Sequence, residues 1–308
     1  MESKIDIQKI QSKKPIQELL EFSIINLDKP AGPTSFVSGQ KIKYLLGLRK
    51  TSHFGTLDPI VTGVLPVGLN RACKLSDFFM HKDKVYIGEI QIHKEINESR
   101  LREEMKNFIG KIMQKPPVKS RVKREFRERE IKKFEIMEFD ENNRKVKFIA
   151  EVQAGTYIRK LISDLGEKIG GAHMAKLRRI KAGLFEEKDE NFVTLEKIEE
   201  AVKLWKEENN EEKLRKILIP AEIISQLYPV IQVKKTRLAK ILNGKPLIDK
   251  DLETGSKNKI KDVLNEKDNF VCFCGDRFVG VYRRSTEGSL SKDNEKSKIV
   301  GRAEFVFS

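Results

Sequence analysis

Cysteine is scarce. Cys73, Cys272 and Cys274 are the only three in 308 residues, too few and too badly spaced for a disulfide framework or a paired-cysteine zinc site. Cys272 and Cys274 lie two apart in an apolar run and should share one face of a strand, so a reducing compartment without structural metal is expected. Long apolar runs are missing as well: none approaches the roughly 18 residues of a membrane span, and MESKIDIQKIQSKK has no apolar signal-peptide core. A soluble, cytoplasmic protein with no membrane partner is expected. The chain also lacks GxxxxGK[ST], GxGxxG after a strand, HExxH and GxSxG, which sets aside the chemistries those loops serve. His53, His81, His93 and His173 show no metal-ligand spacing.

Acidic residues are in the minority, 46 Asp/Glu against 61 Lys/Arg, for a formal net charge of +15 and a pI near 9.5. A polyanion is the natural partner. The excess is clustered: Lys119 to Lys133 holds eight basic and three acidic residues, and Lys176, Arg178, Arg179 and Lys181 fall within six positions. Such clusters are the footprint of phosphate binding, although each run alone also reads as a solvated face.

The length suits a large domain followed by a small one. Residues 1–21 are a polar, Lys-rich tail, and a first strand is expected from Phe22 to Leu27, ended by Pro30-Ala31-Gly32-Pro33. Thr34 or Ser35 can cap a helix carrying Val37, Ile42, Leu45 and Leu46 on its apolar side, with Gly47 as its stop. Period-two patterns predict strands through Tyr86, Gly88, Ile90 and Ile92 and through Val146, Phe148, Ala150 and Val152. A helix follows with Ile158, Leu161, Ile162, Leu165 and Ile169 on its stripe and Arg159 in its first turn. Residues 186–219 read as helical and charged, closed by Pro220. Beyond Tyr228-Pro229 come short β-rich pieces, Val230 to Val233, Phe270 to Cys274 and Phe278 to Tyr282, with a turn at Gly275-Asp276.

One loop stands apart. From Thr51 to Pro66 the only carboxylate is Asp58, set against Pro59 and flanked by Gly55 and Gly63, which permit tight backbone and close approach of a ligand. By itself Asp58-Pro59 is a turn starter. A lone carboxylate in an apolar loop has its pKa pushed up by desolvation unless a cation pairs with it. A nucleophilic carboxylate must stay ionised, so an arginine is the partner to look for. An arginine at a helix N-terminus, as Arg159 would be, in turn calls for a compensating carboxylate.

Five segments carry a family resemblance. Asp28-Lys29-Pro30-Ala31-Gly32-Pro33-Thr34-Ser35, His53-Phe54-Gly55-Thr56-Leu57-Asp58-Pro59 with Thr62-Gly63-Val64-Leu65-Pro66, Lys115 to Arg124, Ala154 to Arg159, and Gly171 to Arg179 resemble, in order and spacing, the TruB/dyskerin pseudouridine synthases. The last two look like the archaeal/eukaryotic dyskerin branch. The resemblance implies an α+β catalytic domain on a mixed, mostly antiparallel sheet over residues 22–228, followed by a small β-rich PUA domain at 229–308, with residues 1–21 packing on the PUA side.

It also implies an RNA uridine-to-pseudouridine isomerase that needs no cofactor or metal. Asp58 matches the family nucleophile, and Tyr86 the tyrosine that stacks on the flipped base. Arg159 matches the arginine paired with the carboxylate, Leu177 the apolar wall of the uracil pocket, and His53 a residue that helps hold the RNA. Without the resemblance Tyr86 would read as an inward strand tyrosine, Arg159 as a surface group and Leu177 as a core leucine. Lys119, Arg121, Lys123, Arg124, Arg178 and Arg179 are the expected phosphate contacts. Ser52 and Phe54 depart from the branch, which usually has glycines there, and a bulky Phe54 is expected to reshape the loop around the nucleotide. The partners implied are an H/ACA guide RNA, substrate rRNA and/or tRNA, and small H/ACA accessory proteins, with no DNA. The rival readings are a stand-alone tRNA pseudouridine synthase and a non-catalytic RNA-binding scaffold.

Overall fold

Short-range signals start the fold. In the computed structural model, which describes residues 5–116, 123–256, 268–285 and 297–308, the first strand β1 runs Ser23–Lys29 and gives way to the Pro-Gly break. The helix Ser35–Leu46 follows, its N-cap Thr34 accepting from the Val37 N–H at 3.1 Å and its C-cap Gly47 left-handed at φ 64°. Its buried side is Ser35, Ser38, Gly39, Ile42 and Leu46. Val37, expected on the apolar side, is instead 52% exposed, because small Ser and Gly residues let the helix approach its neighbours on another face.

The chain divides into two compact units, Leu20–Ile219 and a second that joins the described part of residues 1–19 to Pro220–Ser308. The first is α+β. Its further strands are β2 Thr51–His53, β3 Thr62–Leu69, β4 Lys84–Ile92, β5 Gly110–Gln114, β6 Arg127–Asp140, β7 Lys145–Val152, β8 Ala172–Ala182, β9 Phe185–Glu186 and β10 Phe192–Val193. They form one mixed sheet in the order β10-β1-β3-β8-β4-β7-β6-β5, with β2 beside β3 and β9 beside β8. Pairing is antiparallel except for β1 with β10 and β3 with β8. The β3–β8 join is short: only Thr62 opposite Arg178 and Gly63 opposite Arg179. A Cβ on Gly63 would lie 2.2 Å from the Arg179 carbonyl. This glycine therefore serves strand contact, not the ligand approach expected of it.

The predicted strand of Val146, Phe148, Ala150 and Val152 is buried on that face, as is the helix stripe Ile158, Leu161, Ile162, Leu165 and Ile169. Each such aliphatic side chain contributes roughly 1.5–3 kcal/mol by leaving water. The charged helix expected from 186 starts only at Leu195, capped by Thr194; before it lie β9, a turn and β10. Asn26 holds that turn, donating to the Glu186 carbonyl at 3.0 Å.

The second unit has a five-stranded sheet in the order Val230–Gln232, Asn269–Cys274, Arg277–Arg284, Ile299–Val306 and Leu247–Ile248. Ile231, Val233, Leu247, Phe270, Cys272, Val279 and Tyr282 fill its core, and Cys274 packs partly against it. Gly275, at φ 60°, makes the expected turn. This compact unit takes in the chain from Pro220, where Ala221, Glu222 and Ile224 are buried and Glu222 pairs with Lys14. Burial raises the Glu222 pKa, which Lys14 partly offsets. The helix Ile7–Lys13 is tied to the same unit by Lys9 and Asp276 at 2.7 Å.

Candidate active site

The Asp58 loop is held by its backbone. Ser35, 1% exposed, donates its Oγ hydrogen to the Leu57 carbonyl at 2.9 Å and accepts from the Leu57 N–H at 2.8 Å. Lys29, completely buried, donates to the carbonyls of Pro30 at 2.8 Å, Val61 at 3.0 Å and Pro59 at 3.1 Å. Burial lowers its pKa, and the negative charge of Asp58 acts against that shift. Gly32 N–H also donates to Pro59, at 2.9 Å, and Val61 N–H closes the turn on the Asp58 carbonyl at 3.0 Å. Gly55 bends the loop entry at φ 111°.

Arg179 lies beneath, 1% exposed, with Nε donating to the Val64 carbonyl at 2.7 Å and a terminal nitrogen donating to the Gly55 carbonyl at 2.9 Å. Its fork joins the start of β3 to the turn before Asp58.

Two functional groups stand out from this frame. The carboxylate of Asp58 forms an ion pair with Arg159, 101 residues later in the chain, and both side chains are about half exposed. Asp58 is thus not desolvated as the apolar loop suggested, because fixing the backbone turns its side chain outward. Arg159 finds the carboxylate its place in a first turn calls for.

Tyr86 on β4 and Leu177 on β8 are each 9% exposed. Tyr86 lies opposite Arg179, and Gly88 opposite Leu177, so the two share one face of the β4–β8 pair. Arg179 in turn lies opposite Gly63 at the start of β3. Tyr86, Arg179 and Gly63 therefore form one row across three strands. His53 on β2 is half-buried, and its Nδ1 has no hydrogen-bond partner. Burial and then the Arg179 charge lower its pKa.

The basic residues divide differently from expectation. Arg179 is enclosed, 1% exposed, with its donors on two carbonyls. Arg178 chelates Asp28 at 3.0 and 3.2 Å and meets Glu187 at 2.8 Å. Lys176 faces Glu89 at 3.7 Å and Lys181 meets Glu186 at 2.6 Å. In this structure the run braces strands against carboxylates. Lys123 and Arg124 are exposed; Lys123 pairs with Glu125, and Arg124 Nε donates to the Pro116 carbonyl at 3.3 Å. Lys119 and Arg121 lie outside the described residues. Phe54 points inward: it is 2% exposed, stacks on Phe79 at 5.1 Å and fills the space a side chain at Gly68 would take.

Sequence reasoning gave no role to Lys29 and offered Ser35 only as an alternative helix cap, although both lie in the Asp28 to Ser35 motif. It also missed Lys84, 5% exposed, whose Nζ donates to the Met80 and Lys82 carbonyls. Burial and then the Arg179 charge bring its pKa down to about 8, with Asp83 opposing. A lysine two positions before a strand tyrosine carries no signal of burial. Among the described residues, no group of three or more His, Cys, Asp or Glu side chains is arranged to hold a metal, and no helix is long and apolar enough to cross a membrane.

Comparison with known proteins places the fold and the family. Residues 43–104 match the TruB family pseudouridylate synthase N-terminal domain, and residues 159–225 match the tRNA pseudouridylate synthase B C-terminal domain. A Methanopyrus kandleri protein named "Probable tRNA pseudouridine synthase B" is 43% identical over 75% of this chain and 68% of its own length. A Pyrococcus abyssi protein of the same name is 43% identical over 75% and 69%. The crystal structure of a Cbf5-Nop10-Gar1 complex superposes with TM-score 0.83 and 33% identity, covering 97% of this chain and 88% of that one. An H/ACA RNP bound to a substrate RNA containing 2'-deoxyuridine gives 0.81 and 30%, covering 100% and 91%. Fold and sequence together define an RNA-modifying isomerase. The chain belongs to the TruB family of pseudouridine synthases and is an RNA pseudouridine synthase.

Proposed function

We propose that Asp58 is the nucleophile of a guide-directed pseudouridine synthase, the catalytic subunit of an H/ACA-type ribonucleoprotein acting on rRNA and/or tRNA in the cytoplasm. The observation that carries the site is the Asp58–Arg159 ion pair, made by two half-exposed groups from distant segments. Asp58 attacks the target uridine, the base leaves its sugar, turns and rejoins through carbon; the atoms balance without a cofactor. Tyr86 stacks on the extruded base, Leu177 walls the uracil pocket, and Arg159 holds the carboxylate. His53 supports the displaced strand. Extruding a stacked uridine costs about a few kcal/mol, which contacts from Lys123 and Arg124 to phosphates help offset.

The unit from Pro220 onward acts as a PUA domain that grips RNA, with the N-terminal helix as part of it. Guide dependence is supported by the printed descriptions of the similar complexes. Accessory proteins are also favoured by apolar side chains left exposed near the site, Phe36 at 66% and Tyr44 at 74% on one helix and Ile60 at 62% beside Pro59. The names of the curated relatives favour a second reading, a stand-alone tRNA enzyme.

Tritium release from RNA carrying 5-tritiated uridine distinguishes them. Release only with a matching H/ACA guide and accessory proteins is the expected result. Release from tRNA without a guide would favour the stand-alone enzyme, and none in either case would leave an RNA-binding scaffold.

A further inference from the structure

Gln114 is the last residue of β5 and only 2% exposed. Its amide oxygen accepts from the Tyr157 N–H at 3.0 Å, and its amide nitrogen donates to the Tyr157 carbonyl at 3.3 Å. The reverse orientation would set donor against donor and acceptor against acceptor, so both bonds are needed to define it. Tyr157 is the N-cap of the helix Ile158–Ile169 and has no side-chain cap bond of its own. Arg159 follows two residues later. Its side chain is half exposed, so packing does little to hold it, and its aim at Asp58 is set by where the backbone of this helix start is placed.

On its other side Gln114 belongs to a hairpin. It pairs with Arg127 of β6, and residues 115–126, with Lys123 and Arg124, run between the two. The hairpin rests on the turn before Arg159 at further points. Gln153 N–H donates to the Glu130 carbonyl at 2.9 Å, and a Cβ on Gly155 would lie 3.1 Å from the Arg129 guanidinium. Gln114 meets the N-cap residue at both of its backbone groups.

We propose that Gln114 is a positioning residue for the pseudouridine reaction. Its amide couples the basic hairpin to the helix that carries Arg159, so that RNA held on the hairpin sets Arg159 against Asp58. The inference rests on the reading of Asp58 and Arg159 as the reacting pair and of the hairpin loop as an RNA contact. Misplacing a group by about 1 Å is enough to slow a reaction by about 10²-fold.

The test uses the full chain, tritium release at saturating and limiting RNA, and a melting curve for each variant. Gln114→Leu is expected to lower kcat by about tenfold or more, while KM changes less than about twofold. Neutralising Lys123 and Arg124 lowers kcat at saturating RNA in the natural chain and adds nothing to Gln114→Leu, since the same coupling is already cut. Gln114→Glu keeps the acceptor and loses the donor until it is protonated, and burial raises its pKa. Its kcat relative to the natural chain therefore climbs as pH falls from about 8 to about 6. A kcat unchanged in Gln114→Leu, or strict additivity with the hairpin changes, would overturn the proposal. If Gln114→Leu fails to fold, the pH ratio of Gln114→Glu decides, and a flat ratio overturns it. Asp58→Asn run alongside separates the two levels. If Asp58→Asn turns over, the site reading itself is wrong; if it is inactive while Gln114→Leu is fully active, only the coupling fails.

Discussion

Arg159 and Arg179 belong to two regions that look alike in sequence, each a basic residue in a segment that resembles a family motif, and the fold uses them in opposite ways. Arg159 heads a helix, is 55% exposed and meets a carboxylate. Arg179 sits inside a strand, is 1% exposed and meets two carbonyls, with no ion pair among the described residues. A guanidinium is the one cation able to satisfy two fixed carbonyls at once in a rigid fork. The comparison teaches that charge in a motif divides between chemistry and scaffolding. Position relative to the sheet decides which.

The sharpest break in the comparison is at the site. Asp58→Asn is expected to reduce tritium release by at least about 10⁴-fold and Arg159→Lys by about 10²-fold, with melting temperatures within a few degrees of the natural chain. Retained turnover in Asp58→Asn would remove the nucleophile from this loop. Arg179→Met should do the reverse: about 2–4 kcal/mol of stability lost in denaturant unfolding, since two buried carbonyls are left unsatisfied. A variant as stable as the natural chain would mean the fork holds nothing.

Lys84 provides a pH test of the same buried layer. Its folded pKa of about 8 lies below the ordinary lysine value near 10.4, so the unfolded chain binds more protons between those limits. Below about pH 8 both states are charged and the folded state bears the full penalty. Stability from this group therefore rises as pH goes from about 8 to about 10, by up to about 3 kcal/mol. Lys84→Met should flatten that rise relative to the natural chain in unfolding curves at stepped pH; parallel curves would refute the assignment.

The smallest effect sharpens the division of basic residues. Arg124→Gln, whose guanidinium meets a carbonyl and no carboxylate among the described residues, should reduce the slope of log affinity against log salt by about 0.7–0.9, while Lys181→Gln, whose charge is already met by Glu186, should leave it unchanged. Equal changes would return the 176–181 run to the RNA surface.

Much of this was legible in the chain. Thr34 and Gly47 bounded a helix, period two marked β4 and β7, and the spacing of Ile158 to Ile169 gave the stripe, because these are local signals that neighbouring residues impose on each other. The need for an arginine opposite Asp58 was legible as chemistry. The side of the helix on which Val37 would fall was not, since it depends on which neighbour the small residues Ser38 and Gly39 admit.

The sequence alone determined the family and the reaction class, because motif order and side-chain chemistry survive without coordinates. Only the tertiary structure decided that Arg178 and Arg179 brace the sheet, that Phe54 turns inward, that Lys29 and Lys84 are buried on backbone carbonyls, and that Gln114 holds the start of the Arg159 helix. Burial and hydrogen-bond partnership are set by segments distant in the chain. A basic or amide side chain reads the same in sequence whether water or a carbonyl surrounds it.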